Sequence, residues 1–218
     1  MGPCGERRNA AGALQDNVAP SVDQPRVLKD SHLLVAGWFG KPPPVTPSLA
    51  PINSSHMQRV VILGRGASGK STLARALGVI TKLPVLELDK LFWQPGLLPT
   101  PRESWSAVQE RLAGREQWIM DGDLGPHDDV QVRLRRADTV ILLDFSLVRC
   151  AYQAIKRSRE RADFWRWLLA YRRKYLPLLL QAIAQHASTA DVLIFRDPRA
   201  AERFLNTMRA SETTRRGR

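Results

Sequence analysis

The chain has 218 residues, 44% of them apolar and 25% charged, enough for one packed domain with an appendage. No run reaches 18 consecutive apolar residues, so no membrane-spanning helix is expected. The net charge of +12 points to phosphates, whether of a nucleotide or of a nucleic-acid backbone, or to an acidic surface. The two cysteines, Cys4 and Cys150, are too far apart for a local metal motif and, with no export signal in view, read as reduced thiols of a cytoplasmic protein.

Residues 1–56 differ from the rest. Prolines such as Pro42, Pro43 and Pro44 are scattered through them without hydrophobic period, so they read as a disordered or loosely attached extension, with Met57 a candidate native start. From Met57 to residue 210, short apolar runs alternate with helical stretches. That is the pattern of a five-stranded parallel α/β sheet covered by helices on both faces. Strands are expected at 60–63, 85–88, 118–120, 139–143 and 192–195. Helices are expected at 70–80, 102–112, 148–161, 164–186 and 199–207. Pro101 suits the first turn of the second helix, and Pro177 should kink or divide the fourth. Residues 211–218 read as a frayed basic tail.

Between the first strand and first helix lies Gly64-Arg65-Gly66-Ala67-Ser68-Gly69-Lys70-Ser71, a full match to G-x-x-x-x-G-K-S/T, followed by Thr72. Strand, glycine loop and helix give the motif its proper setting. Backbone N–H groups converge on phosphate oxygens, and the helix N-terminus adds positive potential. Lys70 can reach the β- and γ-phosphates, and the Ser71 hydroxyl can ligate Mg²⁺. The expected cofactors are therefore ATP and Mg²⁺.

Acidic residues follow three strands: Asp89, Asp121 and Asp144. Ligands of open α/β sheets bind beyond these carboxyl ends. Asp89 and Asp121 are the first choices for acceptor activation and for holding magnesium through water. Asp144 suits a helix cap best and stands second for magnesium. His127, beside Asp128 and Asp129, reads as a polar loop rather than a metal site, and His186 as a helix C-terminal contact. Phe92, Trp93 and Trp105 are candidates for walling an acceptor pocket, although packing between sheet and helices is the simpler role for each. Trp165 and Trp167 are two apart on a helix, so at most one faces the site.

With these motifs in order, the chain resembles the adenylate kinase-like P-loop proteins. Within them it is most similar to the bacterial topology modulation protein group, over residues 57–207. The resemblance is carried by the glycine loop, by Leu88-Asp89-Lys90-Leu91-Phe92-Trp93, by Trp118-Ile119-Met120-Asp121-Gly122, by the run from Arg133 to Asp144, and by a later Trp/Arg-rich helix. It implies a nucleoside/nucleotide kinase-like fold with a short arginine-rich lid. Asp121 would organise magnesium water and Asp89 would lie on the acceptor side. Arg157, Arg159 and Arg161 would close on the transferring phosphoryl group, and Arg196 lies in the loop expected to contact the adenine ring. Asp123 stands where the group is expected to carry asparagine.

The leading reading is transfer of the γ-phosphoryl of ATP to a small acceptor, a nucleotide or nucleoside by resemblance. The alternative is a nucleic-acid-binding or regulatory NTPase using a basic helix at 149–175, where nine Lys or Arg stand against Glu160 and Asp163. A degenerate nucleotide binder ranks third, since Lys70, Ser71 and Asp121 are intact.

Overall fold

The structure is a computed structural model and describes residues 57–125, 128–157 and 162–216. The 1–56 extension, His127, Arg159 and Arg161 lie outside the described residues. Five parallel strands form the sheet: β1 (Arg59–Gly64), β2 (Val85–Glu87), β5 (Trp118–Asp121), β6 (Thr139–Leu143) and β7 (Asp191–Phe195), in the order β2-β5-β1-β6-β7. A two-residue hairpin, β3 (Trp93–Gln94) against β4 (Leu98–Pro99), stands apart from it.

Alternation along the central strands explains why the sheet is covered twice. Val61, Leu63, Met120, Val140 and Leu142 bury into one cluster with Trp105 and Leu112 of α3 (Arg102–Ala113), Leu134 of α4 (Val130–Leu134), and Leu179 and Ile183 of α7 (Leu176–His186). Their neighbours Val60, Ile62, Ile119, Ile141 and Leu143 bury on the other face. There they meet Leu73 and Leu77 of α1 (Lys70–Thr81), Cys150 of α5 (Leu147–Arg157), Leu168 of α6 (Ala162–Ala170) and Met208 of α8 (Pro198–Arg216). Both faces of each strand are thus apolar, as a doubly covered parallel sheet requires.

The chain runs from β1 out to β2, returns to β5 beside β1, then crosses to β6 on the other side. The switch in winding falls at the carboxyl end of β1, where the glycine loop sits, and this is the place where such sheets bind ligands.

The structure corrects several element expectations. β2 ends at Glu87, and Asp89 lies in a one-turn helix, α2 (Leu88–Phe92), held by burial of Leu88 and Phe92. The fourth helix divides, as Pro177 suggests. Tyr171–Tyr175 forms a π turn between α6 and α7, in which the Leu176 N–H donates to the Tyr171 carbonyl. Proline has no N–H with which to continue an ordinary ladder just beyond that point. α8 continues to Arg216 instead of ending near 207. Met208 is buried, and Thr207, Ser211, Thr213 and Thr214 donate their hydroxyls to carbonyls one turn back. The basic stretch 149–175 is likewise no single helix but is spread over α5, α6 and the π turn.

Candidate functional site

The glycine loop leaves β1 and ends at Gly69, whose φ of 93° caps α1 in a left-handed conformation with open space around it, so conformation is what requires glycine there. Gly66 is small for a different reason. A Cβ there would lie 2.6 Å from ring atoms of both Phe164 and Trp167 on α6, so this helix rests directly on the loop. Ala67, with φ of 57°, is a non-glycine residue in the left-handed region within the loop.

Lys70 is buried, and its Nζ donates to the carbonyls of Gly64 at 2.9 Å and Arg65 at 3.1 Å. Ser71, one residue on, hydrogen-bonds the carboxylate of Asp121 at the end of β5. Asp121 is 2% exposed, and its Oδ1 has no hydrogen-bond partner; neither has the buried Oγ of Ser68 in the loop. Buried polar atoms without partners are uncommon in folded proteins, and two of them here border a phosphate-loop motif. Burial pushes the Asp121 carboxyl up, against the pull of Ser71 and Lys70. This donor set fits magnesium with a nucleotide: a hydroxyl, a carboxylate oxygen awaiting a partner, and a lysine bonded only to loop carbonyls. Thr72 is exposed in the first turn of α1.

Arg65 turns inward, 3% exposed. Its guanidinium lies 5.4 Å over the Tyr171 ring and donates to the Phe145 carbonyl at 3.5 Å. Tyr171 in turn donates its hydroxyl to Asp123 Oδ2 at 3.0 Å, and Asp123 Oδ1 accepts the Gly125 N–H at 3.2 Å. The glycine loop is thereby linked through one aromatic ring to the loop that follows β5. The Asp123 carboxyl is raised, first by burial and further by Asp128, while Lys70 and its hydrogen bonds oppose the rise.

Asp128 is held by Arg133, which is wholly buried and donates to both carboxylate oxygens at 2.7 Å, to Gln109 Oε1 at 2.8 Å and to the Gly122 carbonyl at 2.9 Å. Asp89 keeps an open face to solvent and has Lys70, Asp121, Asp123 and Asp128 as its charged neighbours. Desolvation is the largest cause lifting its carboxyl, the acidic neighbours add to the lift, and Lys70 opposes it. The structure therefore brings Lys70, Ser71, Asp89 and Asp121 together.

On the far side of β1, Asp144 does not cap α5; that role falls to Ser146, whose Oγ accepts the Arg149 N–H at 3.4 Å. Asp144 instead faces Arg172 and Arg196, each 3.8 Å away. Arg196, past the end of β7, is 79% exposed at its side chain, and Arg157 ends α5 with its side chain exposed. Phe92 and Trp105 are core residues in edge-to-face contact, so they do not wall a pocket. Trp93 retains 39% exposure. Of the tryptophans on α6, Trp167 is the one against the glycine loop, while Trp165 packs with the core on the opposite face of the sheet.

Tyr171 and Arg133 were not singled out from sequence. Their partners lie 48 residues away in one case and across an irregular loop in the other, and neither sits in a motif.

Fold and loop together define a P-loop protein of the kinase fold. Among solved structures the chain is similar to shikimate kinase from Acinetobacter baumannii in complex with shikimate, at 16% identity, covering 72% of this chain and 94% of that one with a TM-score of 0.50. It is also similar to a gluconokinase from Sinorhizobium meliloti 1021, at 16% identity over 73% of this chain and 93% of that one, with a TM-score of 0.44. At such identities the likeness concerns the fold. No protein-family model matches the chain, and no curated protein matches it.

Proposed function

We propose that this chain is a Mg-ATP-dependent small-molecule kinase that moves a phosphoryl group to a hydroxyl of its acceptor. One observation carries the reading: Ser71 of the glycine loop is hydrogen-bonded to Asp121, whose other carboxylate oxygen is buried without a partner. That pairing places a loop hydroxyl and a strand-end carboxylate where magnesium with its water would sit, Asp121 acting through water. Mg-ATP supplies the phosphoryl group and a counter-charge for its oxygens. The structural neighbours are named as kinases, which supports phosphotransfer on this fold.

In this reading the backbone of residues 64–72 cradles the phosphates, and Lys70 exchanges its two loop carbonyls for phosphate oxygens. Asp89, open to solvent and facing Lys70, takes the proton of the attacking hydroxyl. Arg157 and Arg161 close over the transferring group, and Arg196 lies toward the base. The domain spans 57–210, and the finer kinship with the topology modulation group rests on the motifs quoted above.

The test is ADP release with Mg-ATP over a panel of hydroxyl acceptors, in wild type and Lys70→Ala. Turnover in the variant should fall on the order of 10²–10³-fold while its circular dichroism is unchanged. Near wild-type turnover in Lys70→Ala would remove the glycine loop from the chemistry.

A further inference from the structure

The carboxyl edge of the sheet is divided by charge. On the β2–β5 side, Asp89, Asp121, Asp123 and Asp128 surround a single lysine, Lys70. The other cations of this side are committed to partners. Lys90 and Arg75 pair with Glu87 at 2.9 and 3.6 Å, Arg102 pairs with Asp129 at 2.8 Å, and Arg133 is buried within its own bonds to Asp128, Gln109 and Gly122. Arg135 and Arg136 follow α4 toward the amino end of β6, the opposite edge of the sheet.

Lys70 belongs to the donor. Mg-ATP together with Lys70 keeps a net negative charge, so the loaded donor half has no positive charge to spare for an acceptor. An anionic acceptor would then approach Asp89 and Asp123 with nothing to neutralise it. A neutral acceptor would leave those carboxylates uncompensated, whereas a cationic one would pair with them. The buried Oδ1 of Asp121, without a protein partner, independently shows that this edge is built to meet a ligand.

We infer that the phosphoryl acceptor is a hydroxyl compound bearing a cationic amino group, recognised by the carboxylates of Asp89 and Asp123. The inference rests on the kinase reading above and narrows its acceptor. It sets aside nucleoside monophosphates and sugar acids, and the nucleotide expectation from sequence with them.

The full chain, first loaded with Mg-AMP-PNP, is titrated calorimetrically with two charge series on matched skeletons: D-glucosamine, D-glucose and D-gluconate; and ethanolamine, ethylene glycol and glycolate. The amino member of a series should bind about tenfold tighter than its neutral partner, with the acid weakest, and the preference should shrink as salt rises. Asp89→Asn should bring the amino and neutral members to within about threefold while Mg-AMP-PNP affinity stays unchanged. Equal or tighter binding of a neutral or acidic member overturns the inference. So does binding of no member at concentrations up to about 10 mM, since millimolar binding is the weakest that charge recognition at this edge should leave. Failure to bind Mg-AMP-PNP in the first step would instead overturn the kinase reading itself.

Discussion

Arg133 makes four hydrogen bonds with its terminal nitrogens and has no exposed surface. Replacing it by methionine leaves Asp128 charged and only 4% exposed, without its partner. Arg133→Met should therefore lose about 3–5 kcal/mol in urea unfolding, and a second change, Asp128→Leu, should restore part of that loss. Tyr171 offers a pH test. Burial first, and then the Asp123 carboxylate, lift its phenol above the usual value of 10. A phenol whose folded-state pKa is raised contributes stability that is complete below the unfolded value and lost as pH climbs beyond it. Absorbance titration should show a tyrosine that ionises only with alkaline unfolding above about pH 10, and Tyr171→Phe should lack that component. These two residues mark the limit of what could be read from sequence. Lys70, Ser71 and Asp121 were legible because their roles are local to a strand end and a fixed spacing. Tyr171 and Arg133 act through partners that only the folded chain brings close.

The helix α6 and the π turn after it explain how distant parts of the chain hold the site. Phe164 and Trp167 occupy the space a side chain at Gly66 would need. Gly66→Ala should cost about 1–3 kcal/mol, measured by thermal or urea unfolding, and should lower nucleotide affinity; Trp167→Leu in the same chain should recover stability. The π turn sets the angle from which Tyr171 reaches Asp123. If Pro177 imposes it, Pro177→Ala lets the helix tighten and loosens that bond. The destabilisation from Tyr171→Phe, about 1 kcal/mol for a lost hydrogen bond, should then shrink in the Pro177→Ala background, as a double-mutant cycle would show. The strands were legible because each is a continuous apolar run buried on both faces. α2, α4 and the β3–β4 hairpin were not, since segments of two to five residues owe their form to packing rather than to periodicity.

At the scale of the whole molecule, the charge of +12 invites a nucleic-acid reading that the placement of the arginines weakens. Arg149 lies over Phe145, Lys156 over Tyr152, and Arg172 faces Asp144, so the basic stretch is distributed and partly engaged. Single-stranded DNA at roughly physiological salt should leave ADP release within about twofold of its basal rate. A manyfold stimulation that vanishes at high salt would move the activity to nucleic acid. The fold and donor loop could be read before any coordinates, but the division of charge along the sheet edge could not. That division depends on strand order, which places the ends of β2 and β5 side by side although about thirty residues separate them in sequence.

Trp167 has one further consequence. Its ring lies against Gly66 on one side, and its buried indole nitrogen lies where a side chain on Gly125 would be, so it is wedged between the donor loop and the loop following β5. The chain thus carries its own optical gauge. Excitation at tryptophan wavelengths should report the filling of either half as a change in emission, without an added dye, and the signal should disappear in Trp167→Phe.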